Sequence, residues 1–173
     1  MRSNSFYFLI FLLLIPCMVQ AVTLQEVYIA AQPGLGYDKV LELHRDSVYY
    51  GGILINNERV GIKGHGAVID LQYNSIVVSG NSTIEIDGCV ITNGTLGIDV
   101  QGSSDALITH CTFYNNQIGI HFLYSTGSIE VMNTILSNNY QFGFASDEYV
   151  KRTLHYITAH QNPGGDYMEW CAT

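Results

Sequence analysis

The sequence predicts an all-β fold, a right-handed parallel β-helix of about five or six coils, and three observations predict it. First, residues 83–100 (TIEIDGCVITNGTLGIDV), 106–122 (ALITHCTFYNNQIGIHF) and 128–144 (SIEVMNTILSNNYQFGF) are near-copies of one unit, and 153–162 (TLHYITAHQN) is a fourth that drifts. Cys89 and Cys111 are 22 residues apart, and Asn116, Asn139 and Asn162 follow one another at 23. Self-similarity at this period marks a solenoid, in which each copy buries its apolar face by stacking on the next. Second, the copies hold short runs of period-2 alternation, the mark of strands, and lack the Leu ladder of a leucine-rich repeat. Third, Gly, Asn, Asp and Ser punctuate those runs, as corners require.

Within the first copy Ile84, Ile86, Cys89, Ile91, Ile98 and Val100 fall on the inner side. Glu85, Asp87, Val90, Thr92 and Asp99 fall on the outer side. Bends at Asp87-Gly88 and Asn93-Gly94 divide the coil into three short strands, which gives a triangular section. Asn tolerates the left-handed backbone of a tight corner and can bond backbone groups there. Stacked roughly 4.8 Å apart, Asn93, then Asn115 or Asn116, then Asn138 or Asn139, then Asn162 are expected to form a structural ladder. Cys89 and Cys111 share one inward position and are expected as buried thiols.

Residues 1–21 read as a secretory signal peptide: Arg2, an apolar run over 6–15 too short to span a bilayer, then Pro16 and a small-residue end at Ala21. The chain is expected to be exported, to a secreted, periplasmic or cell-surface location, with no membrane span. Removing this segment takes one of the seven Lys+Arg and none of the fifteen Asp+Glu, so the formal charge moves from −8 to −9. That balance argues against nucleic acid or an anionic membrane as a partner, and against an acidic polymer unless a divalent cation bridges the two.

Residues 22–36 are expected to cap the open N-terminal end, whose strand edges would otherwise associate. Within them 24–31 fits either a short amphipathic helix or a capping strand, and 33–36 (PGLG) is a turn. The β-helix proper is expected over 37–162, with first strands at 39–44 and 48–55 and a corner at Gly51-Gly52. Residues 145–152 (ASDEYVKR) lengthen one corner. Residues 163–173 form a C-terminal tail; either 167–170 fold over the last coil or the chain is a truncated member of a longer family.

These repeats resemble the parallel β-helix repeats of the pectate-lyase-like superfamily (the pectin lyase fold). Residues 57–72 (NERVGIKGHGAVIDLQ) are similar to the first-coil segment of polygalacturonases and related proteins. The resemblance covers about 37–162 and is specific for fold. It leaves activity open, because the fold hosts lyases, hydrolases, esterases, adhesins and proteins without catalysis. Its catalytic members are longer rods than this one.

Candidate chemistry is sparse. The hydrolases of that superfamily use clustered Asp residues ahead of a Gly-His-Gly motif. Here Gly64-His65-Gly66 follows Arg59–Lys63 with no Asp pair before it, so no two-carboxylate hydrolytic pair is assigned. The lyases need calcium-binding acids and a basic residue. Glu85 and Asp87 are outward neighbours and the candidate metal ligands, although Leu107 and Thr109 break their row in the next coil; calcium is the one cofactor the sequence admits. Asp147, Glu148, Lys151 and Arg152 bring mixed charges to the lengthened corner and are candidate catalytic residues. Asp99 and His121 occupy the same outward position on successive coils, where a carboxylate beside an imidazole makes a candidate acid–base pair or a plain cross-coil surface pair. Twelve Tyr are present, and Tyr49, Tyr50, Tyr114, Tyr124 and Tyr140 are expected on the outer surface, where their faces could stack on sugar rings. The sequence therefore favours an exported, non-catalytic β-helix that binds polysaccharide, a cell-surface glycan or another surface partner, with a polysaccharide lyase or glycoside hydrolase as the alternative.

Overall fold

In the computed structural model, which describes residues 21–147 and 150–168, the alternating runs wrap into three sheets around one core. The first sheet has seven strands, running from Gln32–Gly34 and Tyr37–Glu42 to Lys151–His155. The second runs from Val48–Tyr50 to Thr158–His160 and the third from Ile53–Asn56 to Gly165–Tyr167, with six strands each. Successive coils supply successive strands of each sheet in parallel, so the chain is the β-solenoid that its period predicts. The expected signal peptide (save Ala21), Glu148, and the end of the tail with Trp170 and Cys171 lie outside the described residues.

Alternation builds the core as stacked columns. Ile62, Ile86, Ile108 and Val131 face one another across the first sheet; Ile69, Ile91, Phe113 and Leu136 do so across the second. The third contributes Ile76, Ile98, Ile120 and Phe144. All twelve are buried, and each stabilises the fold by roughly 1.5–3 kcal/mol relative to exposure. Because neighbouring coils repeat the same inward positions, no coil can shift by one residue without turning its whole column out.

Each corner is headed by a residue in the left-handed region, and these too form columns. Between the first and second sheets they are Asp46, the adjacent His65 and Gly66, Gly88, His110, Asn133 and Tyr156, with φ from +49° to +94°. Between the second and third they include Asn93, Asn115, Asn138 and Gln161, and between the third and first Asn57, Gly80, Gly102 and Tyr124. Gly and Asn are the residues that reach this region at least cost.

The Asn series resolves into two ladders. Asn93, Asn115 and Asn138 form the left-handed outer column, in which Asn115 Nδ2 donates to Asn93 Oδ1 at 2.7 Å. Asn116, Asn139 and Asn162 are the buried inner ladder. Asn116 donates to Asn139 Oδ1 from both its backbone N and its Nδ2, at 3.1 Å each, and Asn139 repeats the pattern on Asn162 at 2.9 and 3.0 Å. Asn116 and Asn139 Nδ2 also satisfy the inward carbonyls of Ile91 and Phe113. Beside this ladder Gly97, Gly119 and Gly143 make room: a Cβ on Gly119 would stand 2.6 Å from the Gly143 carbonyl oxygen and 3.2 Å from Asn139 Nδ2.

The N-terminal cap is a helix, Leu24–Ala30, followed by a strand, Gln32–Gly34, that pairs antiparallel with Tyr37–Glu42. Thr23 and Glu26 form a reciprocal capping box that starts the helix, and Leu24 is fully buried beneath it. At the other end the coils run beyond Asn162, because Gly165–Tyr167 pairs with Phe142–Ser146, and Tyr167 and Met168 pack against the core. Tyr49 differs from expectation. It is buried, with its hydroxyl accepting from the His44 amide at 2.9 Å, so it fills the first coil rather than its surface. Cys89 and Cys111 are free buried thiols stacked between Ala67 and Thr134.

The two Asn columns carry different weight in folding. Asn139→Ala strands the Asn116 amide and the Phe113 carbonyl in the interior and is expected to cost about 2–4 kcal/mol. Asn138→Gly keeps the left-handed corner and is expected to cost less than about 0.5 kcal/mol. Urea unfolding of both variants reads the difference, and equal losses would contradict the inner-ladder assignment.

Candidate functional site

The corner that joins the second and third sheets forms a groove of about 360 Å³ across four successive coils. Its floor carries Asn93, Gly94 and Thr95 from one coil and Asn115 and Gln117 from the next. Tyr73 closes one end and Tyr140, with Gln141, the other. Both rings stand in solvent, Tyr73 at 87% and Tyr140 at 67% exposure. Tyr73 is in the left-handed region, at φ 65°, directly after Gln72 at φ 50°. A bulky residue there is strained, and its backbone is pinned by Thr95 Oγ1, which donates to the Tyr73 carbonyl at 2.6 Å, and by its own amide on Asn93 O at 2.7 Å.

Backbone bonds from Gln117 N to Gly94 O and from Gln141 N to Gln117 O fix the floor at 2.9 and 2.8 Å. The Gln117 and Gln141 carboxamides are exposed and make no hydrogen bond to other described residues. They therefore present both donors and acceptors to the groove. No lining residue is charged. Of the tyrosines expected on the surface, Tyr114, Tyr124 and Tyr140 are exposed and Tyr50 is half-buried. Tyr73 is the wall that alternation does not reveal, since it heads no repeat column. The double left-handed Gln72-Tyr73 corner is a backbone feature without a sequence marker of the Asn-Gly kind.

Asp99 and His121 are brought together by the register of the third sheet. His121 Nδ1 lies 2.6 Å from Asp99 Oδ1, and the Gln101 amide donates to Asp99 Oδ2. Asp99 is buried, at 5% exposure, which corrects its expected place on an open surface: alternation gives the face a residue points to, not what lies over that face. His121 Nε2 has no partner among the described residues. Flanking positions of the column are Val77 and Ala145, so the pair is an oriented imidazole with apolar neighbours along the sheet.

Glu85 and Asp87 lie side by side on the first sheet, each engaged by protein groups. Lys63 and the Tyr37 hydroxyl both donate to Glu85, and these two bonds, Lys63 first, hold its carboxyl below the usual range. Thr109 Oγ1 donates to Asp87 at 2.6 Å and His110 Nδ1 lies 2.9 Å from the same oxygen; Thr109 is the larger cause of the lowered Asp87 pKa. Leu107 and Thr109 follow them in the next coil, and Glu130 follows Leu107. Among the described residues no three His, Cys, Asp or Glu side chains converge as a metal site. At the lengthened corner Asp147 Oδ2 accepts from the Tyr124 amide at 2.6 Å. Arg152 takes an inward position in register with Ile129 and donates to the Asp147 carbonyl at 3.1 Å, while Lys151 stands exposed in register with Ser128. The structure thus turns Arg152 and Lys151 to opposite faces of one strand. His65 occupies the corner at Gly64–Gly66 with an exposed ring, 3.0 Å from Glu42.

The family model described as "Right handed beta helix region" matches residues 51–166. No curated protein and no solved structure matches the chain.

The lowered carboxyl values set a pH dependence. A group whose folded-state pKa is depressed adds stability that is fully present above its unfolded pKa and is lost as the pH falls through the folded value. Glu85→Gln is therefore expected to lower stability by about 1–2 kcal/mol at neutral pH, and the gap to the parent protein is expected to close on acidification. Urea unfolding at stepped pH measures it, and a gap that persists in acid would contradict the Lys63–Glu85–Tyr37 arrangement as its source.

Proposed function

We propose that this chain, which belongs to the right-handed β-helix family, is an exported, non-catalytic protein that binds glycans. The observation that carries the proposal is the groove between Tyr73 and Tyr140. Aromatic faces stack on the apolar faces of sugar rings, and free carboxamides bond hydroxyls in both senses. A concave site with aromatic walls and a few placed polar groups is the usual form of a small-ligand site, and about 360 Å³ lies within the ordinary range of roughly 300–1,000 Å³. Export is supported by the signal-peptide pattern of residues 1–21. Kinship within the family to pectate-lyase-like proteins is supported by the first-coil segment 57–72 and by the corner Asn series.

A second reading, a polysaccharide lyase or glycoside hydrolase, is favoured by one observation, the Asp99–His121 pair. A buried carboxylate that orients an imidazole is the usual support of a general base. In this reading Asp99 positions His121, and the ring's Nε2 would exchange the proton.

The two readings part in one experiment. Thermal unfolding of the exported chain is followed against neutral and uronate-rich polysaccharides, with and without calcium, while ultraviolet absorbance follows the unsaturated products of a lyase and a reducing-end assay follows those of a hydrolase. The expected result is a melting shift without product, lost in Tyr73→Ala and Tyr140→Ala and kept in His121→Ala. Product formation that disappears in His121→Ala would replace the binding reading with the enzymatic one.

A further inference from the structure

We infer that the ligand of the Tyr73–Tyr140 groove is a neutral oligosaccharide segment lying along the solenoid axis, held by both rings at once. This rests on the glycan-binding reading and specifies it in two respects, charge and direction.

Charge follows from the lining. The groove's side chains are tyrosines, amides and a threonine, and among the described residues no Lys or Arg lines it. A uronate would bring a carboxylate to a site with no cation to meet it, on a chain of formal charge −8. The desolvation of that carboxylate would go uncompensated. A neutral sugar asks only for donors and acceptors, and the Gln117 and Gln141 carboxamides, exposed and unpartnered among the described residues, supply both. The groove is thus selective by what it lacks as well as by what it offers.

Direction follows from the coil spacing. Tyr73 belongs to one coil, Asn93–Thr95 to the next, Asn115 and Gln117 to the third and Tyr140 to the fourth. Three steps of roughly 4.8 Å put the two rings about 14 Å apart along the axis. That separation is the reach of a short chain and not of a single sugar. Between the rings the amides are repeated at the coil period, so successive sugar units along the axis meet similar partners. Both rings stand outside the core, and a ligand that stacks on both uses their exposed faces.

Isothermal titration of the exported chain with β-1,4-linked gluco- and manno-oligosaccharides of two to six units, and with oligogalacturonates of the same lengths, tests both respects. The neutral series is expected to gain affinity with length until the chain reaches both rings and then to plateau, and the uronates are expected not to bind with or without calcium. Tyr73→Ala and Tyr140→Ala are each expected to weaken the longest neutral ligand about tenfold or more while leaving the disaccharide sensitive to one ring at most. Tyr73→Asn, which suits the left-handed corner, is expected to weaken binding equally without lowering the melting temperature, which separates lost stacking from lost folding. Uronates that bind through these tyrosines while neutral chains do not would overturn the inference and leave the glycan-binding reading standing. Neutral binding that is flat with length would overturn the axial arrangement alone. Silence of both series would overturn the inference, and silence of the polysaccharide panel as well would overturn the reading beneath it.

Discussion

The left-handed residue at the head of each corner is the constraint on which this fold depends. A flat coil of three strands must change direction three times, and a single left-handed residue makes each change in the shortest length of chain. Because every coil turns at the same place, the strands after each corner start level and pair in register. The inward columns of Ile, Val, Leu and Phe are a consequence of that level start. Where Gly fills the position, as at Gly88 and Gly102, the turn is unstrained; where His110, Tyr124 or Tyr156 fills it, the corner stores strain of order 1–3 kcal/mol, offset by the ladders on both sides.

The corner between the second and third sheets is the most heavily determined of the three. Its outer column is left-handed Asn, and its inner column is the buried chain of Asn116, Asn139 and Asn162, whose amides bond one another and the carbonyls that the turn leaves inside. Gly97, Gly119 and Gly143 are required beside it because a side chain there would meet the next coil's backbone. The groove is built on the outer side of this same corner. Its floor is therefore preorganised by bonds made for folding, and the backbone there has little left to order.

The fold was legible in the sequence because a solenoid writes its geometry several times over: period, alternation and corner composition agree at every copy. Features that occur once were harder to read. The helix at Leu24–Ala30 was left open against a strand, although Thr23 and Glu26 stand at capping-box spacing, a signal that decides for a helix start. Asn115 and Asn116 could not be told apart by spacing, because adjacent residues at a corner share the period and only backbone conformation separates the outer column from the inner. Tyr49 was placed outside because tyrosine suits a surface strand, yet the first coil has no preceding coil to fill its end and takes a large ring inward. Alternation gives Asp99 a face, but its burial depends on what covers that face. Tyr73 precedes the three plain copies, so one end of the groove carries no repeat signal, although the floor residues Asn93, Asn115 and Gln117 lie within them.

The same in-register geometry bears on how the acid–imidazole pairs are weighed. His65 with Glu42, His110 with Asp87 and His121 with Asp99 are all separated by 22 or 23 residues, with the histidine on the later coil. Parallel stacking brings a histidine within reach of the coil before it. The contact is in register for Asp99–His121 and offset at the corner for the other two, whose acids pair with Lys63 and Thr109. Such a contact arises whenever that neighbour is acidic and needs no catalytic role. Burial and the Gln101 contact set Asp99–His121 apart, and they account for an oriented ring. Catalysis further requires that a substrate atom be held against that ring by other groups. The groove gathers two aromatic faces and exposed amides on one concave surface, on the corner that precedes the pair, and a second concavity of about 360 Å³ on the first sheet gathers Asp105, Glu130 and Lys151. Convergence is what distinguishes a site from a contact, and the Asp99–His121 pair lines neither of these two concavities.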